Sequence, residues 1–435
     1  MPATEIFPAK NDVAPLTTSL IIIGVIYTPS ICQAVEQTNY KYYSDHISIN
    51  QDSSTIVKPN EINPKQAEIL IAPKNPKGIS HNKYDTFDVT DAGIILNNKE
   101  VAAETIINEV VNGATSFLAG NIAVAGNAAH VVIANPNGIE CHNCSFSNTL
   151  QETLTTGKPV INNNNDELIG YRLEKAIAPI NKGYRGGKSI EHIGKIVFSN
   201  KNDRSSSHSF NKLNIISNNI KLENGFISSK GDINIYSGKR DIIIKEGESI
   251  LKQEYAMRSH IKRNNLPNQI ILGDKNGDPK KQGLISSKNI IINASDTTIY
   301  NYGSLESSNR SKNAIQLNLN KTTFNNHGYI LARGGYLDLQ NKSFFYNMES
   351  GTIGMQYWLN TGKNNNNYSE TYIGLIPKNT ISQMKNLTLD ISEDSKLINN
   401  GVINTERLYT RDKNMNNIQN NREDIKIYTK LRKIK

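Results

Sequence analysis

GNIAVAGNAAHVVIANPNGIECHNCSFSNTLQETLTTGKP, residues 120–159, is the stretch whose reading decides the fold. Ala128 to Ala134 is mostly apolar, and Val131, Val132 and Ile133 are β-branched. A short run of that kind, closed by a turn signal, reads as a buried strand. The stop is Asn135-Pro136-Asn137-Gly138. Pro136 presets φ for the second position of a turn, Asn135 can hydrogen-bond the backbone two residues on, and Gly138 accepts whatever φ the exit requires. Cys141 and Cys144 follow at once, and Thr153-Leu154-Thr155-Thr156 forms a second strand that ends at Gly157-Lys158-Pro159.

Working outward, His46-Ile47-Ser48-Ile49 alternates and Glu68-Ile69-Leu70-Ile71 is a second β-run, with Pro59 and Pro64 in the polar residues between. Ala102 to Val110 is expected to form the one short helix, with Ile106, Ile107 and Val110 at helical spacing; the competing reading is a strand plus turn. Past Pro159 the pattern loosens. Asn162 to Asn165 and Ile177 to Lys188 read as loops. Gly187-Lys188-Ser189 resembles the end of a phosphate-binding loop, but the first glycine should fall at Lys182, so that reading is rejected.

From Ser209 onward short β-runs recur, among them Leu213 to Ile216, Asp232 to Tyr236, Asp241 to Ile244 and Asn289 to Ile292. Phe226-Ile227-Ser228-Ser229-Lys230 nearly repeats as Leu284-Ile285-Ser286-Ser287-Lys288. A glycine followed closely by apolar residues returns at Gly225, Gly303, Gly328, Gly351 and Gly401, at separations near multiples of about 25 residues. Short β-runs, Asn/Gly corners and such a period mean a β-solenoid, in which each coil buries its apolar face only by stacking on the next. Leucine-rich repeats share the period but need LxxLxL spacing and a helical half, so a parallel β-helix is expected. Stacked Asn side chains at its corners can hydrogen-bond from coil to coil. Asn364 to Asn367 reads as a loop, and the charged tail after Arg411 holds one β-run, Ile425 to Tyr428.

Hydrophobic residues make up 37% and aromatics 7% of 435 residues, lean for several compact globules and suited to an elongated fold with a thin core. The net charge of +9 is spread along the chain on no recognisable nucleic-acid module, so no nucleic-acid partner is expected. Leu20 to Tyr27 is an apolar h-region too short to span a bilayer, and Ala34 ends a segment suited to signal cleavage. The n-region is long and weakly basic. No later stretch is long and apolar enough to anchor the chain, so a soluble or surface-associated product is expected. Cys32 leaves with the leader. Cys141 and Cys144, three residues apart in an oxidising periplasm, are expected to form a small-loop disulfide. Free thiols, a zinc site and a thioredoxin-type motif stand as alternatives; zinc needs two further ligands, and only His142 is near.

No constellation points to catalysis. The eight histidines are scattered, and neither HExxH nor GxSxG is present. Asp274 to Asp278 resembles a calcium loop, but Pro279 stands where Gly is needed and Ile285 where Glu is needed, so a surface hairpin turn is expected instead. Catalytic residues, metal ions and cofactors are therefore all assigned as none.

ANPNGIECHNCSFSNTLQETLTTGKP closely resembles the signature of the two-partner secretion domain of filamentous haemagglutinins, haemolysins and contact-dependent inhibition proteins. Gly78 to Tyr84, Phe87-Asp88-Val89, Gly93 to Asn98, Ile106 to Val110 and Val124-Ala125-Gly126 agree with it in order. One motif of the family is missing: Asn98 runs directly into Lys99, where many members carry a second Asn-Pro turn. The CxxC resembles the haemolysin branch. The resemblance implies a right-handed single-stranded parallel β-helix with an N-terminal cap and small extra-helical β elements. It implies a signal peptide at 1–34, a secretion domain at 35–300, further β-helix at 301–410 and an irregular tail at 411–435. It further implies export through the periplasm of a Gram-negative bacterium by the general export machinery. Recognition by an outer-membrane β-barrel transporter with periplasmic polypeptide-binding domains follows, as does release at the cell surface, where a host or bacterial surface is a further partner. Asn135, Pro136, Asn137 and Gly138 become a secretion motif. Members commonly run to far greater lengths, so a shortened exoprotein of adhesive or toxic type is expected. A stand-alone β-helical adhesin and a polysaccharide-acting β-helix enzyme are the other readings.

Overall fold

The computed structural model describes residues 46–173, 176–177, 191–192, 194–199, 207–223, 225–238, 241–243, 268–275, 283–356, 381–410 and 416–421. The expected leader with Ala34, the Asn364 to Asn367 loop and the Ile425 to Tyr428 run lie outside these residues. Every element within them is a β-strand.

Alternation along the strands builds the core. In Ile315–Asn320, Ile, Leu and Leu are buried while Gln and the two Asn are half-exposed. Parallel register then sets like on like from coil to coil. Ile133, Leu154, Ile215, Ile235, Ile292, Leu317, Leu337 and Leu389 form one column. Each member is buried, which contributes about 1.5–3 kcal/mol apiece.

The chain winds through three faces. The first is a twelve-stranded sheet and the second a ten-stranded sheet. The third is made of a five-stranded sheet followed by an eight-stranded one. One coil consists of Ala129–Ala134, Ile139–His142 and Ser145–Ser147. Below it lie Thr105–Val110, Ser116–Leu118 and Asn121–Gly126; above it lie Thr149–Thr155, Ile196–Ser199 and Ser207–Phe210. The parallel β-helix read from the sequence is therefore the fold, and its faces run through residue 300 without a break. Ile418–Asn420 adds one more rung on the second face, within the stretch expected to be an irregular tail.

The first rung is closed on two faces. Ile47–Ile49 pairs antiparallel with Ile79–Phe87, and Ile56–Pro59 pairs antiparallel with Ala67–Leu70. Such strands cap the first and third faces at that end, while the second face ends on Ser116–Leu118 with a single parallel bridge from Val89.

The expected helix over Ala102 to Val110 is not there. Thr105–Val110 is a strand, held in parallel between Ile79–Phe87 and Ala129–Ala134. All but Thr105 are buried, because Ile106 and Val110 enter the core while Ile107 faces outward under a covering layer. A strand buried on both faces loses its alternation, and its apolar spacing then imitates a helix.

The covering layer is built around the Asn162 to Asn165 loop expected from the sequence, while the other expected loop, Ile177 to Lys188, lies outside the described residues beyond Ile177. Lys158–Ile161 and Leu168–Arg172 form an antiparallel hairpin around the Asn162 to Asn165 turn, and Asp241–Ile243 adds a third strand. Tyr171 and Leu173 cover Ile79, Ile107, Val132, Ala134, Ile216 and Tyr236 on the outside of the first face.

Glycine and asparagine hold the corner between the second and third faces. A Cβ on Gly328 would collide with the carbonyl of Gly303, and one on Gly303 with the carbonyl of Gly283. Coil spacing alone thus explains the glycine repeat; Gly283 is the rung missed between Gly225 and Gly303. Beside it, Asn301 Nδ2 donates to Asn326 Oδ1 (2.8 Å), Asn326 to Asn347 (2.8 Å), Asn347 to Asn399 (2.7 Å) and Asn399 to Asn420 (3.0 Å). Along this ladder the residues are 25, 21, 52 and 21 apart. The 52 spans the insertion that contains residues 357–380.

Candidate secretion corner and cysteine loop

Asn135 to Gly138 is the turn from the first face to the second, and its hydrogen bonds run both within the turn and between coils. Asn137 N–H donates to Asn135 Oδ1 (2.9 Å), and Gly138 N–H to the Asn135 carbonyl (3.0 Å). These bonds close the turn as Asn135 and Pro136 preset it. Toward the coil below, Asn135 Nδ2 donates to the Ala114 carbonyl and to Ser116 Oγ, each at 2.9 Å. Thr115 Oγ1 returns a bond to the Asn137 carbonyl at 3.1 Å. Toward the coil above, Asn135 N–H donates to the Thr155 carbonyl and Ile139 N–H to the Lys195 carbonyl, each at 2.9 Å. Gly138 has φ +124°, and a Cβ there would press on the Lys195 carbonyl at 2.9 Å.

The turn is thus packed between two neighbours. Asn135 exposes none of its surface, Pro136 and Gly138 are buried, and only Asn137 is partly exposed. The side chains that define the turn face the stack, which fits a role in building the coil.

Asn98 does comparable work at the corner where the second Asn-Pro motif is missing. Its Nδ2 donates to the Ala103 carbonyl (2.9 Å) and the Asn127 carbonyl (2.8 Å), and its Oδ1 accepts Ala103 N–H (2.7 Å). One buried Asn with a tight turn to Ala102 (φ +49°) replaces the longer motif.

Three residues past the turn, Cys141 sits on the second face between Leu118 and Phe198. Cys141 and Cys144 are joined in a disulfide with Cα atoms 5.2 Å apart. Both are fully buried, and Asn143 between them adopts φ +62°. The sequence gives no hint of what lies over this loop. His208, 67 residues on in the coil above, brings Nδ1 to 3.1 Å from Cys141 Sγ. Burial in the core lowers the His208 pKa to about 4, so the ring is neutral at ordinary pH. His142, the nearest histidine in sequence, instead meets Ser199 Oγ at 2.8 Å.

Glu152 was not singled out by the sequence either. It is fully buried within the strand Thr149–Thr155 on the first face. Its carboxylate accepts Asn211 N–H and Lys212 N–H at 3.1 Å each, and the Thr149 hydroxyl. Burial nevertheless raises its pKa above the usual carboxylate value.

A family model described as the TPS secretion domain matches residues 47–339. A protein of Yersinia mollaretii named tRNA nuclease CdiA is 43% identical over 116 residues, which are 22% of this chain and 4% of that protein. A hemolysin of Serratia marcescens is 37% identical over 113 residues, 22% of this chain and 7% of that protein. The chain thus spans under a tenth of the length of these relatives. Among solved structures, a filamentous hemagglutinin secretion domain aligns at 16% identity and TM-score 0.42, covering 86% of this chain and 99% of that one. The HMW1 secretion domain from Haemophilus influenzae aligns at 15% identity and TM-score 0.37, covering 84% and 86%. With the family model spanning well over half its length, this chain belongs to the TPS secretion domain family.

Proposed function

We propose that this chain is a two-partner secretion exoprotein, presented to a cognate outer-membrane transporter and folded coil by coil after passage. Ala34 is the cleavage point of a leader at 1–34. Residues 35–300 serve recognition and nucleation, 301–410 extend the β-helix, and 411–435 form its tail. The transporter is a β-barrel whose periplasmic domains take up an extended segment by adding it to a sheet edge. The route through the periplasm begins at the general export machinery. The cargo role is that of a shortened haemolysin- or haemagglutinin-like surface protein. No nuclease activity is carried over from the relatives, because the match covers only a few per cent of them.

The observation that supports this reading is the burial of Asn135, Pro136 and Gly138 between adjacent coils. A transporter meets these side chains only while the coil is open, so recognition precedes folding. Closing the coil then hides the motif and buries apolar area at roughly 25 cal/mol per Å², which makes return unfavourable.

The test is Asn135→Ala in a strain that carries the transporter. Lost secretion, with the purified domain keeping its β circular dichroism, is the expected result. Secretion at the wild-type level would overturn the proposal. Secretion and structure lost together would reduce the motif to a folding element. Red-cell lysis by the chain, alone and mixed with a longer relative, separates a haemolysin from an adhesin.

A further inference from the structure

Among the described residues a single cluster of metal-ligating side chains forms, and it is assembled by coil stacking rather than by sequence proximity. Cys141 Sγ, Cys144 Sγ and a ring nitrogen of His208 lie within 4.8 Å of one another, with all three residues buried. The carbonyls of Cys144 and Ser199 are near the His208 ring, but His208 Nε2 is buried without a well-aligned hydrogen bond. Phe198 packs edge-on against that ring with centroids 5.6 Å apart, and Cys141 is its polar neighbour through Nδ1. A histidine in an apolar core, with one nitrogen on a sulfur and the other unpaired, costs more than a phenylalanine would in the same space. A ligand role for Nδ1 accounts for its presence.

We propose that, once the Cys141–Cys144 disulfide is reduced, the two thiolates and His208 Nδ1 form a three-coordinate site for Cu(I). A Cys-x-x-Cys pair is a recurrent metal knuckle, and the histidine supplies a third donor. Metal–sulfur bonds of about 2.3 Å and metal–nitrogen bonds of about 2.0 Å place the donors of a trigonal site roughly 3.5–4 Å apart. The donors now lie within 4.8 Å of one another, with Cys141 Sγ 3.1 Å from His208 Nδ1, so the site forms when the sulfurs part and the three donors adjust by short shifts around the ion. Zinc requires a fourth ligand, and no further Cys, His, Asp or Glu joins this cluster among the described residues. Two thiolates and one imidazole suit a soft monovalent ion instead.

The chemistry balances with a thiol or phosphine reductant. The disulfide takes up two electrons and two protons, and the reductant is oxidised. Copper then displaces both thiol protons, and neutral imidazole donates the lone pair of Nδ1. A disulfide oxidant, itself reduced to two thiols, takes the two electrons back from the thiolates, re-forms the Cys141–Cys144 bond and expels the ion. Because His208 belongs to the coil above the cysteines, the site exists only after that coil has docked.

The experiment uses the full folded chain, reduced anaerobically with a phosphine and titrated with Cu(I) against a chromophoric copper chelator. One Cu(I) per chain is expected, with X-ray absorption showing two sulfur and one nitrogen neighbours. His208→Phe, checked for native circular dichroism, should bind roughly tenfold more weakly or worse and lose the nitrogen neighbour. The oxidised chain should bind no copper. Equal affinity for wild type and His208→Phe, or for oxidised and reduced chains, would overturn the proposal. So would tighter binding of Zn²⁺, reported by a tetrahedral Co²⁺ spectrum. For a His208→Phe protein that does not fold, His208→Gln is the second variant, and the same loss of the nitrogen neighbour is expected from it.

Discussion

Gly194 lies directly against the carbonyl of Pro136, so closely that a Cβ at residue 194 would overlap that oxygen. The turn from Asn135 to Gly138 is therefore shaped partly by a glycine nearly sixty residues later, at the end of the insertion that follows Thr155.

Gly194→Ala is expected to destabilise the fold by about 1–3 kcal/mol, the usual range for forcing atoms into a packed site. Urea unfolding followed by circular dichroism measures it. An unchanged midpoint would show that the coil above does not press on the turn.

The asparagine ladder makes a second prediction. Asn326→Ala leaves one N–H of the buried Asn301 amide without an acceptor, the amide keeping its bond to the Tyr329 carbonyl, and Asn347 Oδ1 without its donor. Two orphaned polar groups should cost about 2–4 kcal/mol in total. Native-state hydrogen exchange should place the loss in the strands from Thr297–Asn301 to Phe344–Asn347, since each coil depends chiefly on its neighbours.

His130 sets a pH dependence. Burial, then the Lys212 charge, lowers its pKa to about 4, while its Nε2 lies 2.8 Å from Thr153 Oγ1. The folded state thus holds this proton less tightly than the unfolded state. Its contribution is complete above about pH 6.5 and is lost as pH falls toward 4, by about 2 kcal/mol for a ring that keeps some exposure. His130→Gln should flatten that part of the stability profile. An equally steep profile in the variant would assign the acid loss to other groups.

The lateral hairpin should be separable from the solenoid. Tyr171→Ala removes the largest side chain covering the outer cluster and is expected to cost about 3 kcal/mol. Limited proteolysis should then cut within 158–173 while the stacked faces stay protected. Cleavage spread evenly over the chain would mean that the hairpin is integral to the core.

What the sequence made legible was local: the strand before Asn135, the turn, and the glycines that follow the second face. Each carries its reason in a few neighbouring residues. What it hid depends on residues far apart. Ile107 imitates a helical position because a hairpin over fifty residues later covers it. His208 has no motif of its own and gains meaning only when stacking brings it over Cys141. Glu152 reads as a polar interruption in a strand until Asn211 and Lys212 supply their backbone donors.

The two antiparallel strands that close the first rung give the molecule a polarity. On the first and third faces, templating by parallel addition has a dead stop at Ile47 to Pro59 and proceeds toward higher residue numbers. A chain threaded through a narrow opening with its amino end leading delivers its rungs in that same order, so every newly emerged stretch finds a finished edge waiting. Reversing the direction of threading would offer the last rungs first, with nothing to template them.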